Sequence, residues 1–460
     1  FSSGSRGKGN LSSEANPYFL FPQIYNFRYN IFSSEWPVAN RVIELYLQKK
    51  SENGGWERQI NGISNNEKAV LLLEKRTFKE LLVDMELRNL QNNIVGQEAS
   101  RLFARAEINM GVEAFRDSLY SLLKRNTFLN IKFENMLDTL GEISRTDIRS
   151  LLGEWEKTTP LPFYSLGEPT LTKITNKGGE EFFVLKMLIS NNSDYDGIIH
   201  MDIRKDGWWY QPLEDPRAKT KIEMPAHTSK EFVSVWEDQI RNVEINTMVS
   251  GNLPNIISQD INNVKQERNK IVKDSIYILP ESSFDLPGEI IVDNEDSTLF
   301  ILSAPPIVGL LPKWLDEVEE TPFKYSGISW WRPPLQWTAT TNDRYYGKYI
   351  RSAFVIKSGD GSQTATWKVP VPEVGQYDLY YHVFKDDELR WNNNLQGEYH
   401  FKVKYGSEVE DAYVNLRKAN EGWEQLGSYY FDSDTIRVVL TDECKLRSVT
   451  ADAVKIVKRY

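Results

Sequence analysis

Tyr399-His-Phe-Lys-Val-Lys-Tyr405 sets Tyr399, Phe401, Val403 and Tyr405 at alternate positions, with His400, Lys402 and Lys404 between them. Successive side chains of a strand point to opposite faces, so this stretch predicts a β-strand with one covered and one wet face. The same period runs through Tyr377, Leu379, Tyr381 and Val383, and again through Ile436, Val438 and Leu440. Upstream, 182–189 is a nearly continuous apolar run, 197–204 alternates, and 232–236 and 243–248 follow between turn-like segments. Short strands at about 10-residue spacing predict antiparallel sandwiches. Before Pro162 the period changes. Val70, Leu73, Phe78, Leu81, Leu82, Met85, Leu90, Ile94, Leu102, Phe103 and Ala106 recur at three- and four-residue steps, the period of an amphipathic helix. Gly111 separates these from a helix carrying Phe115, Leu119, Leu122 and Leu123. Ser144-Arg-Thr-Asp147 reads as a capping box opening a short helix through Trp155, and Pro160 and Pro162 end helix altogether. Residues 1 to about 60 give weak signals, and Gly, Ser and Asn at the start suggest a frayed beginning.

The resulting expectation is a multidomain α+β chain, an N-terminal α-helical domain followed by two antiparallel β-sandwiches. Its boundaries are 1–160 (helical, with an extended N-terminal segment), 161–258 (sandwich), 259–287 (a polar connection) and 288–460 (second sandwich). Seven of the 13 Trp lie in the last of these.

With 460 residues, 55 Lys+Arg and 65 Asp+Glu, the net charge is −10. That balance argues against nucleic acid and against an anionic lipid surface, both of which are bound through Lys and Arg. Cys444 stands alone, which excludes an intramolecular disulfide and a thiolate zinc cluster. The longest apolar candidate, 300–315, is broken by Pro305, Pro306 and Pro312, so no transmembrane segment is expected. A chain opening on Phe1 reads as a mature form or a piece of a longer protein. Cysteine poverty fits the cytosol or a bacterial envelope compartment.

Catalytic signals are few. His200, His227, His382 and His400 include no pair at i, i+4, and there is no Gly-rich phosphate loop or nucleophile elbow. Asp386-Asp387-Glu388 reads as a solvated turn. No catalytic residue and no cofactor are expected. The chemistry lies instead with the aromatics. Trp330, Trp331, Tyr345, Tyr346 and Trp391 sit in Pro-, Asn- or Gly-containing stretches, where rigid rings can stack on a sugar or a peptide. The alternative is that they cover the ends of the sandwich core. Trp367 and Trp423 alternate with strand residues and read as core. Asp293, Asp296 and Asp452 could meet across neighbouring strands and hold a structural calcium ion, although a local Asp–Asn turn is the favoured reading.

Ile290-Ile-Val-Asp-Asn-Glu-Asp296, Tyr345-Tyr-Gly-Lys-Tyr-Ile-Arg-Ser-Ala353, Ala365-Thr-Trp-Lys-Val369, Gly375-Gln-Tyr-Asp-Leu-Tyr380, Gly422-Trp-Glu-Gln-Leu-Gly427 and Ala451-Asp-Ala-Val454 follow in a specific order. Together they resemble the golvesin C-terminal-like domain, also described as similar to the carbohydrate-binding domain of xanthan lyase. The resemblance covers about 288–460 and departs from the family in an insertion near 301–336, with a helix expected at 311–318. It implies a β-sandwich that attaches to a polymer or another protein, and it supplies no catalytic residue. Residues 65–255 more loosely resemble the region after the active site of gluzincin aminopeptidases, through Gly111-Val-Glu-Ala-Phe115, Thr146-Asp-Ile-Arg-Ser-Leu-Leu-Gly-Glu-Trp155, Pro160-Leu-Pro162 and Val249-Ser-Gly-Asn-Leu-Pro254. That family's zinc ligands would precede this region, and residues 1–64 hold no His.

The leading expectation is a non-catalytic cell-envelope or secreted protein whose C-terminal sandwich binds a polysaccharide or envelope polymer, located in the periplasm, at the cell surface or outside the cell. The rivals are the accessory part of a zinc aminopeptidase-like protein lacking its metal site, and a scaffold that binds protein partners.

Overall fold

The computed structural model describes residues 30–48, 55–176, 178–205, 211–213, 215–268, 272–281, 284, 288–303, 323–329, 331–385 and 397–459. The helical part holds α1 (Ala39–Leu47), α2 (Gly55–Asn61), α3 (Asn65–Lys75), α4 (Phe78–Val83), α5 (Gln91–Met110), α6 (Val112–Asn126), α7 (Phe133–Ser144) and a 3-10 helix at Arg149–Glu156. Sequence chemistry sets the starts of two of them. Ser64 with Glu67, and Thr77 with Glu80, form reciprocal capping boxes that satisfy otherwise orphaned amides. Gly111, at φ +84°, breaks α5 from α6, a backbone conformation that a side chain resists. The helices close on a core that includes Ile43, Leu73, Phe103, Phe115, Leu119, Phe133 and Leu137. Each such side chain contributes about 1.5–3 kcal/mol by its burial.

Two readings near this domain need correction. α1 and α2 lie where the sequence signal was weak. The box expected at Ser144 does not form: Ser144 ends α7, its hydroxyl donating to Leu140 O (2.7 Å), and Asp147 Oδ1 instead accepts from Ser150 N–H (3.1 Å). Asp147 precedes the N-cap Ile148, and its side chain reaches the second residue of the 3-10 helix.

The middle sandwich has two sheets. One comprises β1 (Tyr164–Leu166), β2 (Thr170–Thr175), β3 (Glu181–Asn191), β7 (Thr228–Trp236), β10 (Val264–Arg268) and β11 (Ser275–Pro280), in the order β10-β2-β3-β7-β11 with β1 on β3. The other comprises β4 (Gly197–Lys205), β5 (Gln211–Pro212), β6 (Lys219–Met224), β8 (Ile240–Asn246) and β9 (Ile256–Asp260), in the order β5-β4-β8-β9 with β6 on β4. Within the stretch 259–287, expected as a connection, residues 264–268 and 275–280 therefore belong to this sandwich: β10 pairs parallel with β2, and β11 antiparallel with β7. The polar composition of β10 marks an edge strand, whose side chains are wetted on more sides than those of a central one.

The C-terminal sandwich comprises β12 (Glu289–Val292), β13 (Phe300–Leu302), β14 (Thr338–Thr341), β15 (Ser352–Lys357), β16 (Thr364–Pro370), β17 (Gly375–Val383), β18 (Glu398–Tyr405), β19 (Glu408–Asn415), β20 (Gly422–Phe431), β21 (Thr435–Thr441), β22 (Ser448–Ala451) and β23 (Val454–Lys458). These form sheets β12-β23-β17-β20, β13-β16-β21-β18-β19 and β14-β15-β22. Trp367, Tyr377, Tyr381, Phe401 and Phe431 fill the core between them. The fold class is as expected, helices first and antiparallel sandwiches after. The helix expected at 311–318 lies outside the described residues.

All three parts meet at one small apolar cluster of Ile63, Leu253, Tyr325 and Ala339. Polar bonds lace it: Thr341 Oγ1 donates to Gly62 O (2.5 Å), Asn255 N–H to Glu67 Oε1 (2.8 Å), and Arg351 N–H to Leu253 O (2.6 Å).

Candidate functional site

The alternation that buries Tyr377, Leu379, Tyr381 and Val383 turns Tyr380 and His382 to the other face of β17. His382 stands directly opposite Trp423 of β20, their rings 5.2 Å apart and edge-on. Tyr346, from the turn that precedes β15, completes a triangle, 5.0 Å from Trp423 and 5.8 Å from His382. Lys455 of β23 crosses this face with its ammonium 4.9 Å from the Trp423 ring and 5.3 Å from that of Tyr380, held there by Glu289 (2.9 Å). An ammonium over an aromatic face is attracted by the ring quadrupole, so Lys455 fixes both rings while keeping donors for a ligand.

Beneath the triangle lies Asp452, fully buried. Its Oδ2 meets His382 Nδ1 (2.8 Å) and accepts from Tyr346 N–H (3.1 Å), while its carbonyl accepts from Trp367 Nε1 (3.1 Å). The Asp452 carboxylate thus ties the turn to the imidazole, and its backbone carbonyl adds the largest core side chain. With Nδ1 engaged, Nε2 of His382 is the nitrogen without a hydrogen-bond partner among the described residues. Asp452 Oδ1 has no hydrogen-bond partner among the described residues.

Asp293, partly buried, is a second acid electrostatically coupled to Asp452. Burial drives its carboxyl well above the ordinary carboxylate range and the charge of Asp452 adds to the effect, although Asn294 N–H donates to its Oδ1 (2.7 Å). Burial raises Asp452 as well, against the opposing pull of His382, Tyr346 N–H and Arg351. Desolvation outweighs the favourable contacts at both acids.

Of the expected ligand residues, Tyr346 lies in the triangle. Tyr345 does not: it is 6% exposed and packs on Phe384 at 4.6 Å, so it belongs to the interior. Trp331 is 72% exposed in a separate turn-rich stretch before β14. Trp330 and Trp391 lie outside the described residues. Trp367 is core, as expected, with no exposure. Trp423 is a correction, since it is only partly buried and its ring joins the site.

The calcium cluster is not assembled. Asp293 and Asp452 do come together, but Asp296 Oδ1 closes a local turn by accepting from Thr298 N–H (3.1 Å) and Thr298 Oγ1 (2.7 Å). No group of three or more His, Cys, Asp or Glu suited to a metal ion occurs among the described residues.

His382, Trp423, Tyr380 and Lys455 escaped the sequence reading. One signal could have found them: if Tyr381 is core, His382 must face the other way.

The motifs Tyr345–Ala353, Gly375–Tyr380, Gly422–Gly427 and Ala451–Val454 supply or adjoin the residues that converge here, and comparison with known families meets them at the same place. Residues 333–458 match the family model of the golvesin C-terminal domain. The match spans the whole aromatic triangle and Asp452, and lies wholly within the third part of the chain. No curated protein matches. Among solved structures, Bacteroides uniformis β-glucuronidase is similar over 67% of this chain and 31% of its own, at 13% identity and a TM-score of 0.19. The B. uniformis β-glucuronidase 2 covalently bound to cyclophellitol-6-carboxylate aziridine is similar over the same shares, at 12% identity and a TM-score of 0.19. This chain therefore spans about a third of those enzymes' length, and a likeness so loose bears on neither fold nor chemistry.

Proposed function

We propose that this chain is a non-catalytic cell-envelope or secreted protein whose golvesin-like domain binds carbohydrate or an envelope polymer through the face built by Tyr346, His382 and Trp423. One observation carries the reading: an imidazole oriented from below by a buried carboxylate stands between two aromatic rings, with an ammonium beside them. Aromatic rings take the C–H faces of a sugar, and His382 Nε2 and Lys455 take its hydroxyls. The same group of residues lacks a nucleophile and a paired acid and base open to substrate, so it suits recognition and not turnover.

The test is retention on immobilised polysaccharides. Trp423→Ala removes a ring worth about 0.5–1.5 kcal/mol beyond area burial, so retention should weaken by about 2- to 10-fold. His382→Ala should weaken it as well. Trp367→Ala is the control, costing about 3–5 kcal/mol of fold stability through its cavity. Unchanged retention by both site variants on every polysaccharide the wild type binds would refute the assignment.

A further inference from the structure

Edge strands of a sheet carry unpaired amides, and proteins blunt them with charges. Two edges of this molecule follow that rule: β10 contains Lys265, Glu267 and Arg268, and β19 contains Glu408, Glu410 and Asp411. β11 does not. Ser275-Ile-Tyr-Ile-Leu-Pro280 has no charge, ends its sheet beyond β7, and exposes Ile276 at 54%, Tyr277 at 51%, Ile278 at 70% and Leu279 at 40%. Apolar side chains are therefore open on both faces of one strand.

The direction of the free backbone groups follows from β7. Val235 N–H donates to Asp274 Oδ1 (2.7 Å), so residue 235 points its amide towards the β11 side. Alternate residues share that direction, which sets Val233, Glu231 and Ser229 to bond Ser275, Tyr277 and Leu279, their partners in register. Ile276 and Ile278 then turn their N–H and C=O outward, unpaired by β7.

We propose that β11 is a self-pairing edge, on which a second copy of this chain adds its own β11 antiparallel across a two-fold axis. A register centred on Tyr277 sets Ile276 opposite Ile278 of the partner subunit, so the outward amides exchange bonds and β-branched side chains meet on one face. Tyr277 meets the partner's Tyr277. Glu281 accepts from Asn192 Nδ2 (2.8 Å) and meets His227 Nδ1 (2.8 Å) in its own chain, and in this register Lys273 adds to that group from across the dyad, falling opposite Glu281 of the partner subunit. Charge complementarity at both ends of an otherwise neutral strand selects a copy of itself over an unrelated strand.

Sedimentation of the full chain at micromolar concentration should show a dimer. Ile276→Lys with Ile278→Lys should raise its dissociation constant by at least about 100-fold, through two like charges placed opposite each other. The melting temperature should stay unchanged, since both positions are exposed. Tyr277→Cys should form an intermolecular disulfide under mild oxidation, because directly opposed residues of a non-hydrogen-bonded pair lie about 4.5 Å apart at Cα. Ile276→Cys, which faces residue 278, should cross-link at least about tenfold more slowly. A monomer at all concentrations, a dimer that survives the double lysine variant, or equal cross-linking at 276 and 277 would overturn the proposal.

Discussion

Asp293 and Asp452 are two electrostatically coupled carboxyls, and each holds its proton more tightly in the fold than in the unfolded chain. A raised folded pKa gives stability that is fully present below the ordinary value of 3.8 and is lost as pH rises through the folded value. The contribution of these two groups to stability therefore falls as pH rises above 3.8. Asp293→Asn removes the buried charge while keeping an acceptor for Asn294 N–H. It should raise the melting temperature clearly at pH 8 and little at pH 4, and equal effects at the two pH values would contradict this origin. At this scale the sequence was only partly legible. Asp293 and Asp452 could be suspected of meeting because they bracket the first and last strands of a sandwich. Their partner His382 could not, because what picks it out is a cross-strand neighbour, and register is not written in a single strand. Tyr345 and Tyr346 were indistinguishable as adjacent tyrosines, and the turn sends one inward and the other to the face.

The docking of segment 323–329 against the helical domain depends on close backbone approach. A Cβ at Gly327 would lie 1.9 Å from Ile60 O and 2.7 Å from Asn61 N, which are backbone atoms that cannot swing aside. Gly327→Ala should cost about 1–3 kcal/mol by overpacking. Gly96, inside α5, has nothing within 4 Å of the corresponding position, so Gly96→Ala should instead stabilise by about 0.4–1 kcal/mol. Denaturant titration of the two variants checks both signs. Elements with strong internal periodicity, such as α5, β17, β18 and β21, could be read directly. β10 and β11 could not, because each is a short strand stabilised by a partner far away in sequence, and the polar residues of β10 resemble a linker. The loop carrying Gly327 gave no signal either, since its conformation is set by what it packs on.

The three parts of the molecule converge on residues that no one of them would bury alone. Glu67, 1% exposed, accepts from Ser64 N–H (2.6 Å), from Asn255 N–H of the middle sandwich (2.8 Å) and from Arg58 Nε (3.1 Å). Glu67→Ala would strand Arg58 as a largely desolvated cation without its partner. The expected cost is about 3–5 kcal/mol, measurable by denaturant titration, together with faster proteolysis at the junction. A scaffold joined in this way can hold the golvesin-like face in a fixed direction, which suits the proposed attachment to a polymer. In the proposed function His382, set by Asp452 between Tyr346 and Trp423, contacts that polymer. The chain has four histidines, so selective ¹⁵N-histidine labelling resolves each imidazole. On titration with oligosaccharides from a retained polysaccharide, the His382 Nε2 resonance should shift saturably while those of His200, His227 and His400 stay in place. Saturable binding of that oligosaccharide with no change at His382 would contradict the account.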